Sequence, residues 1–276
     1  MRQQNIGWIN GKWGHLEDLR VSIEDRGLRY ADGIFETILI AQGKAKLLTA
    51  HISRWEQSAK RLGMALPPSE DWLHPIIQES IKRSSLEIGY GALRLNWSRG
   101  KSQNRMIYPI SDKKTNSNHQ FWLELKPITP SFKPVSAIIS CREKRNANSN
   151  LSSCKTFAYG QSIQTQREAT ELGYDEGLLE NTNGDLCCGS TSNIIINRHD
   201  KLLTPSLESG CLPGIMRQQG LDNEILHEEK LSTLPNQNDQ WLLINSLGCR
   251  PIYKLNTINL SLFANPKDFW LSLYSL

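Results

Sequence analysis

A single lysine sits in Ser152-Ser153-Cys154-Lys155-Thr156-Phe157, after small polar residues and before aromatic ones. Three distant segments carry groups suited to anions. These are Arg54 in His51-Ile52-Ser53-Arg54-Trp55, the hydroxyl-rich run Ser190-Thr191-Ser192-Asn193, and Gly214-Ile215-Met216-Arg217. A partly buried lysine holds its proton less tightly and can form an imine with an aldehyde near neutral pH. A guanidinium and the open amides of a helix start both favour phosphate. Together they meet the needs of a phosphate-bearing aldehyde cofactor, pyridoxal 5′-phosphate. Each segment also has an ordinary structural reading: a solvated lysine, a surface arginine, a turn entering a strand, a helix start that binds nothing.

Other chemistries are poorly served. The chain has no Walker loop, no Gly-x-Ser-x-Gly and no Gly-x-Gly-x-x-Gly. Its six histidines show no His-x-x-x-His spacing, and its six cysteines (Cys141, Cys154, Cys187, Cys188, Cys211, Cys249) show no paired Cys-x-x-Cys, so no metal site is expected. The cysteines read as reduced, mostly buried thiols. With 32 Lys+Arg against 28 Asp+Glu, and the basic residues scattered, neither a nucleic-acid footprint nor a membrane-binding patch is implied. The start, Met1 to Gly11, has no apolar signal core, and no stretch approaches a membrane span. A cytoplasmic enzyme acting on a small anionic molecule is the expectation.

The elements that must position these groups follow from periodicity. At 276 residues with 38% hydrophobic and 22% charged residues, the chain is long enough for two domains, each with its own core. Asn10-Gly11 marks a type I′ hairpin, and Ile34 to Ile40 followed by Gln42-Gly43 a second one. From His51 the apolar spacing becomes helical through Ile52, Trp55, Ala59 and Leu62, and a further helix starts at Ser69-Glu70. Strands are predicted over 92–97 and 121–125, with a long polar stretch, 100–120, between them. Pro127, Pro130 and Pro134 make 127–134 a linker between an N-terminal domain, 1–126, and a C-terminal domain, 135–276, that carries the lysine. In the second domain, helices are predicted over 157–172 and 213–227, and strands over 177–179, 193–197 and 241–244. This is an α+β chain.

The segments running from Asp25 to Met64, then Cys154 to Gly160, Tyr174 to Asn193, Leu203 to Arg217 and Ile244 to Ile252, resemble the class IV aminotransferase family of fold-type IV pyridoxal phosphate enzymes. The likeness covers about Gly7 to Ile252. It implies a D-amino-acid-aminotransferase-like fold, with a smaller N-terminal α/β domain and a larger C-terminal pseudo-barrel. It also implies a homodimer. Under it, Lys155 is the cofactor-bearing lysine and proton shuttle, Arg54 a phosphate ligand, and Ile215 and Met216 backbone phosphate donors. Ser190 and Thr191 are hydroxyl contacts, Leu212 an apolar wall against the ring, and Asn245 and Ser246 the last phosphate-side turn.

Within the family the likeness is nearest to the aminodeoxychorismate lyase branch, which forms 4-aminobenzoate and pyruvate. Asn245-Ser246-Leu247 before Pro251 favours that branch, and Thr37 matches a lyase threonine associated with proton transfer. Branched-chain and D-amino-acid aminotransferases are the alternatives, and a noncatalytic homologue a third. Arg105, Arg29 and Arg94 are the candidate partners for substrate carboxylates. Two positions depart from the family: Cys188 stands where a glutamate faces the cofactor's pyridine nitrogen, and the glycine-rich loop reads Ser102-Gln103-Asn104-Arg105-Met106. The first change implies a weaker electron sink.

Overall fold

In the computed structural model, which describes residues 3–101 and 118–275, the chain divides into two compact units. One comprises Met1–Thr129 with Lys155–Ala158, the other Pro130–Cys154 with Tyr159–Leu276. Arg105 and the rest of the Ser102–Met106 loop lie outside the described residues.

The first unit is an antiparallel sheet covered by helices. Its strands are β1 (Ile6–Ile9), β2 (Lys12–Gly14), β3 (Gly33–Ala41), β4 (Lys44–Ala45), β5 (Tyr90–Ser98) and β6 (Gln120–Pro127), in the order β2-β1-β6-β5-β3-β4. Both two-residue turns have the positive φ values that type I′ requires, 51° and 80° at Asn10-Gly11 and 51° and 69° at Gln42-Gly43. The helices are α1 (Arg26–Tyr30), α2 (Leu48–Arg61) and α3 (Glu70–Ser84), the last capped by the Ser69 hydroxyl, which accepts from Trp72 N at 3.4 Å. Alternation on β3 sends Ile34, Ile38 and Ile40 into a core with Leu93 and Leu95 of β5, Leu123 and Leu125 of β6, Ile52 and Trp55 of α2, and Leu73 and Ile77 of α3. One member of that inward row is not apolar: Glu36, 0% exposed, lies opposite Leu95.

The second unit is built on a sheet that curls back on itself. Its strands are β7 (Val135–Ile139), β8 (Glu176–Glu180), β9 (Leu186–Gly189), β10 (Asn193–Arg198), β11 (Lys201–Pro205), β12 (His227–Glu229), β13 (Gln240–Asn245), β14 (Gly248–Leu255) and β15 (Ile258–Asn259). They run β12-β11-β10-β13-β14-β7-β8-β9, with β15 paired to β14. Leu186 N, on the last strand of that order, donates to Leu231 O at 2.9 Å, just beyond the first, so the two edges approach each other as in a pseudo-barrel. Helices α4 (Gly160–Glu171), α5 (Ile215–Asp222) and α6 (Pro266–Ser272) complete the unit. Ile194, Ile196, Trp241, Leu243 and Ile252 form its core.

Two predicted helices are shorter than expected. Residues 157–159 stay outside α4 because Phe157 N bonds Gly33 O at 2.9 Å, which draws the backbone into strand-like pairing. The helix predicted over 213–227 ends at Asp222, and His227 enters β12 beside Leu203, because a parallel strand pairing competes for its backbone. No described helix is long and apolar enough to cross a membrane.

Gly33 is where the first unit is packed most tightly around the lysine segment: a Cβ there would lie 2.3 Å from Cε2 of Phe157. Gly33→Ala is expected to cost about 1–3 kcal/mol of stability by forcing that ring aside. Thermal unfolding measures the cost, and Trp122, whose ring centroid is 5.6 Å from that of Phe157, reports the displacement by its fluorescence. An unchanged melting temperature would refute the tight packing.

Candidate active site

Lys155 is placed by backbone bonds. Phe35 N donates to Lys155 O at 2.9 Å, Ile34 bridges Thr156, and Phe157 N donates to Gly33 O, so residues 155–157 run antiparallel to the start of β3. The half-buried lysine side chain then lies over Phe35, with Nζ 4.4 Å from the ring centroid. Arg94, on the neighbouring strand, stacks its guanidinium 3.6 Å from the same centroid, and its Nε donates to Asn96 Oδ1 at 2.8 Å. Thr37 is the register partner of Arg94 and shares the face of β3 that carries Phe35. Lys155, Arg94, Phe35 and Thr37 are thus brought together. Arg29 is not part of this group: it is exposed on α1, 5.2 Å from the ring centroid of Tyr30.

Arg54, on α2, is buried against the other face of β3. Its Nε donates to Glu36 Oε1 at 2.8 Å and its Nη2 to Glu36 Oε2, a two-pronged charge-assisted pair. His51 Nδ1 lies 2.7 Å from Glu36 Oε2. Since a carboxylate only accepts, Nδ1 carries the proton. Burial alone would raise the Glu36 pKa, but the Arg54 charge and the His51 contact overcome it and hold the carboxyl at about 2. Burial pushes His51 below its ordinary value, against the pull of Glu36. Neither Glu36 nor His51 figured among the expected site residues. The available signal was the acidic residue inside the row Ile34-Glu36-Ile38-Ile40, where the alternation calls for an aliphatic side chain.

In the second unit the strand pairing of β10 with β13 sets Asn193 opposite Ile244, and this brings two turns side by side. Asn245 Nδ2 donates to Thr191 O and to Ser192 Oγ, both at 3.3 Å, while Asn245 Oδ1 accepts from Leu247 N at 2.8 Å. The carbonyl of Ser246 accepts from the Tyr274 hydroxyl at 2.7 Å. Ser190 turns toward Glu176, which accepts from its N and Oγ and also from Arg250. Asn193 Nδ2 donates to Leu212 O at 2.9 Å, tying the segment before α5 to the same sheet end. Gly214, the residue before α5, supplies no side-chain cap to the amides of Ile215 and Met216, and a Cβ there would lie 1.8 Å from Asn193 Oδ1. The Ser190–Thr191 turn, the Asn245–Ser246 turn, Leu212 and the α5 amides are therefore neighbours.

Cys188 lies on β9 opposite Leu179, in a small buried cluster with Cys187 and Cys211. A hydrogen bond from Cys187 lowers the Cys188 thiol and raises the Cys187 thiol. Of the six cysteines, Cys141 is exposed and the rest are buried, all as free thiols. No metal-binding cluster is found among the described residues.

These groups fit pyridoxal phosphate by their chemistry: an amine beside an aromatic face, a guanidinium held in one orientation, and an uncapped helix start where only glycine fits. The sequence profile described as amino-transferase class IV matches residues 33–255. The chain belongs to that family. Its cofactor is pyridoxal 5′-phosphate, and its fold is that of the fold-type IV enzymes. Aminodeoxychorismate lyase of Bacillus subtilis is 27% identical over 259 residues, covering 91% of this chain and 87% of the relative. D-alanine aminotransferase of Bacillus licheniformis is 27% identical over 229 residues, covering 82% and 78%. A hypothetical aminotransferase of Mycobacterium tuberculosis, solved in a PLP-bound form, superposes with a TM-score of 0.81 at 20% identity, covering 98% and 97%.

The buried charges of this class IV enzyme have a pH signature. Glu36 and His51 both hold fewer protons folded than unfolded, so each makes stability rise with pH. On acidification the His51 contribution is lost first, from its ordinary value of 6.5 downward. The Glu36 contribution follows, from 4.5 and completely only near 2. His119, held at about 4 mainly by burial, adds in the same direction. Melting temperatures taken from pH 7 to pH 3 should fall throughout; a flat profile would refute the assigned protonation states.

Proposed function

We propose that this class IV enzyme is a lyase that converts 4-amino-4-deoxychorismate to 4-aminobenzoate and pyruvate. The observation that carries the reading is Cys188, buried among Leu179, Cys187 and Cys211 where the family likeness calls for a glutamate. A thiol in that cluster does not hold a pyridine nitrogen protonated as a carboxylate does, and a weak electron sink suits a reaction driven by formation of an aromatic ring. The Bacillus subtilis relative, matched over nearly the full length of both chains, supports the same branch.

When bound, pyridoxal phosphate acidifies the C–H next to the substrate nitrogen. Lys155 would take that proton on Nζ, the C–H electron pair would enter the substrate's own ring as it becomes aromatic, and the C–O bond to the enolpyruvyl group would break with its pair leaving on the enolate. The departing enolate gains a proton and becomes pyruvate, with Thr37, on the Phe35 face, assisting the transfer. On the family likeness, Arg54 and the amides of Ile215 and Met216 would bind the phosphate, Ser190, Thr191, Asn245 and Ser246 would contact the cofactor, and Leu212 would be the apolar wall against its ring. Of the carboxylate partners, Arg94 has favourable placement beside the Phe35 ring that Lys155 also contacts. Arg105 and Arg29 are the other two candidates; Arg29 lies apart from Lys155 on α1, and Arg105 lies outside the described residues. The reading includes a cytoplasmic homodimer and a domain boundary within 127–134.

A second reading, an amino-acid aminotransferase, draws on the D-alanine aminotransferase relative. Incubating the pure protein with chorismate, an amino donor and a synthase that forms 4-amino-4-deoxychorismate from them separates the two. Pyruvate release without an oxo-acid acceptor supports the lyase; amino-group exchange between amino and oxo acids overturns it.

Borohydride should fix the cofactor on Lys155, and peptide mapping that finds it on another lysine would sink the assignment of that residue. Cys188→Glu should raise amino-group exchange relative to pyruvate release, whereas Cys188→Ala should leave pyruvate release largely intact. Loss of pyruvate release in Cys188→Ala, with cofactor still bound, would mean that the thiol itself takes part in the chemistry.

A further inference from the structure

We propose that Glu36, braced by His51, is a positioning residue that sets how Arg54 meets an anion, and that it thereby confers selectivity for the phosphorylated cofactor over its unphosphorylated form. The proposal rests on the reading that Arg54 binds the cofactor phosphate.

The starting point is a cost without a matching gain in stability. Glu36 is fully buried in a row whose other inward members are Ile34, Ile38 and Ile40, opposite Leu95. Taking a carboxylate and a guanidinium out of water is expensive, and apolar residues of similar volume often serve a core as well or better. What the pair does supply is direction. Glu36 accepts from Arg54 through two different nitrogens, Nε with Oε1 at 2.8 Å and Nη2 with Oε2, which fixes the plane and rotation of the guanidinium. His51 Nδ1, 2.7 Å from Oε2, keeps the carboxylate from swinging about its own axis.

The imidazole, itself 1% exposed, is held neutral by burial, so it braces the pair without adding charge. With Nε and Nη2 both engaged by Glu36, that edge of the guanidinium is closed to an anion. Since the Arg54 side chain is only 10% exposed, the open directions are few. Glu36 and His51 therefore act on the ligand through Arg54, as positioning residues.

The test compares dissociation constants for pyridoxal 5′-phosphate and for pyridoxal, which lacks the phosphate, in wild type, Glu36→Gln, Glu36→Asp and Arg54→Ala, and in the double variant of Glu36→Gln with Arg54→Ala. Glu36→Asp keeps the counter-charge, and with it the fold, but is one methylene too short to span both nitrogens. Both Glu36 variants should weaken the phosphorylated ligand by about 10-fold, the scale of one charge-assisted hydrogen bond, and leave pyridoxal within about 2-fold. In the Arg54→Ala background, Glu36→Gln should add no further loss, because the two act as one unit. Equal weakening of both ligands would mean a structural role and would overturn the proposal, as would unchanged affinity for the phosphorylated form. If Glu36→Gln does not fold, Glu36→Asp decides by the same criterion. If Arg54→Ala itself keeps the preference for the phosphorylated ligand, the failure lies in the Arg54 reading and takes this proposal with it.

Discussion

The bond from Phe35 N to Lys155 O ties the lysine segment to the first unit as an added length of strand beside β3. Lys155 comes from a stretch of chain whose flanks, Pro130–Cys154 and the residues from Tyr159 onward, belong to the second unit. A side chain on a free loop would sample many positions, and in any chemistry small displacements from a productive geometry are costly in rate. Backbone pairing removes that freedom, because strand register places every second side chain on the same face. Phe35, Thr37 and Arg94 are all indexed to the same strand pair, so fixing Lys155 against Phe35 fixes it against the others as well.

The opposite face of β3 handles charge in a different way. On the Phe35 side the cations are half-exposed and rest on an aromatic ring, a modest interaction. On the Glu36 side the charges are buried and matched one to one, with a neutral histidine completing the set. β3 thus separates a buried, charge-matched cluster on one face from half-exposed cations on the other. That separation requires β3 to be buried on both faces, which it is over nearly its whole length.

In the second unit the organising constraint is the pairing of β13 with β10 on one side and β14 on the other. It aligns the ends of three connections, so that Asn193, Asn245 and the start of α5 lie within one hydrogen-bonded patch. The amides of α5 can stay uncapped because Gly214 has no side chain, and Asn193 fills the space that a Cβ would need. Cys188, on β9 beside β8, instead sits in a buried cluster with Leu179, Cys187 and Cys211. The chemistry open to a cofactor enzyme depends as much on which polar groups are missing from such a patch as on those present.

Much of this was legible in the sequence. The Asn10-Gly11 and Gln42-Gly43 hairpins, the amphipathic α2, the capped α3 and the apolar strands β10 and β13 follow from local pattern, because turn chemistry, capping and periodicity act over a few residues. The family likeness was legible for the same reason: Lys155, Arg54, the Ser190–Asn193 turn and the Gly214 helix start are each encoded in short segments. Tertiary structure decided what those segments could not contain. Residues 157–159 stayed out of α4 because Gly33, more than a hundred positions away, offered a strand partner. The helix after Gly214 stopped at Asp222 because His227 found Leu203. Glu36 read as an ordinary residue of Phe35-Glu36-Thr37 until α2 brought Arg54 and His51 against it, since burial and pairing are properties of packed elements and not of a strand by itself. Local sequence determined which elements form and which groups they carry; long-range packing determined which of those groups lose water and therefore which of them hold one another in place.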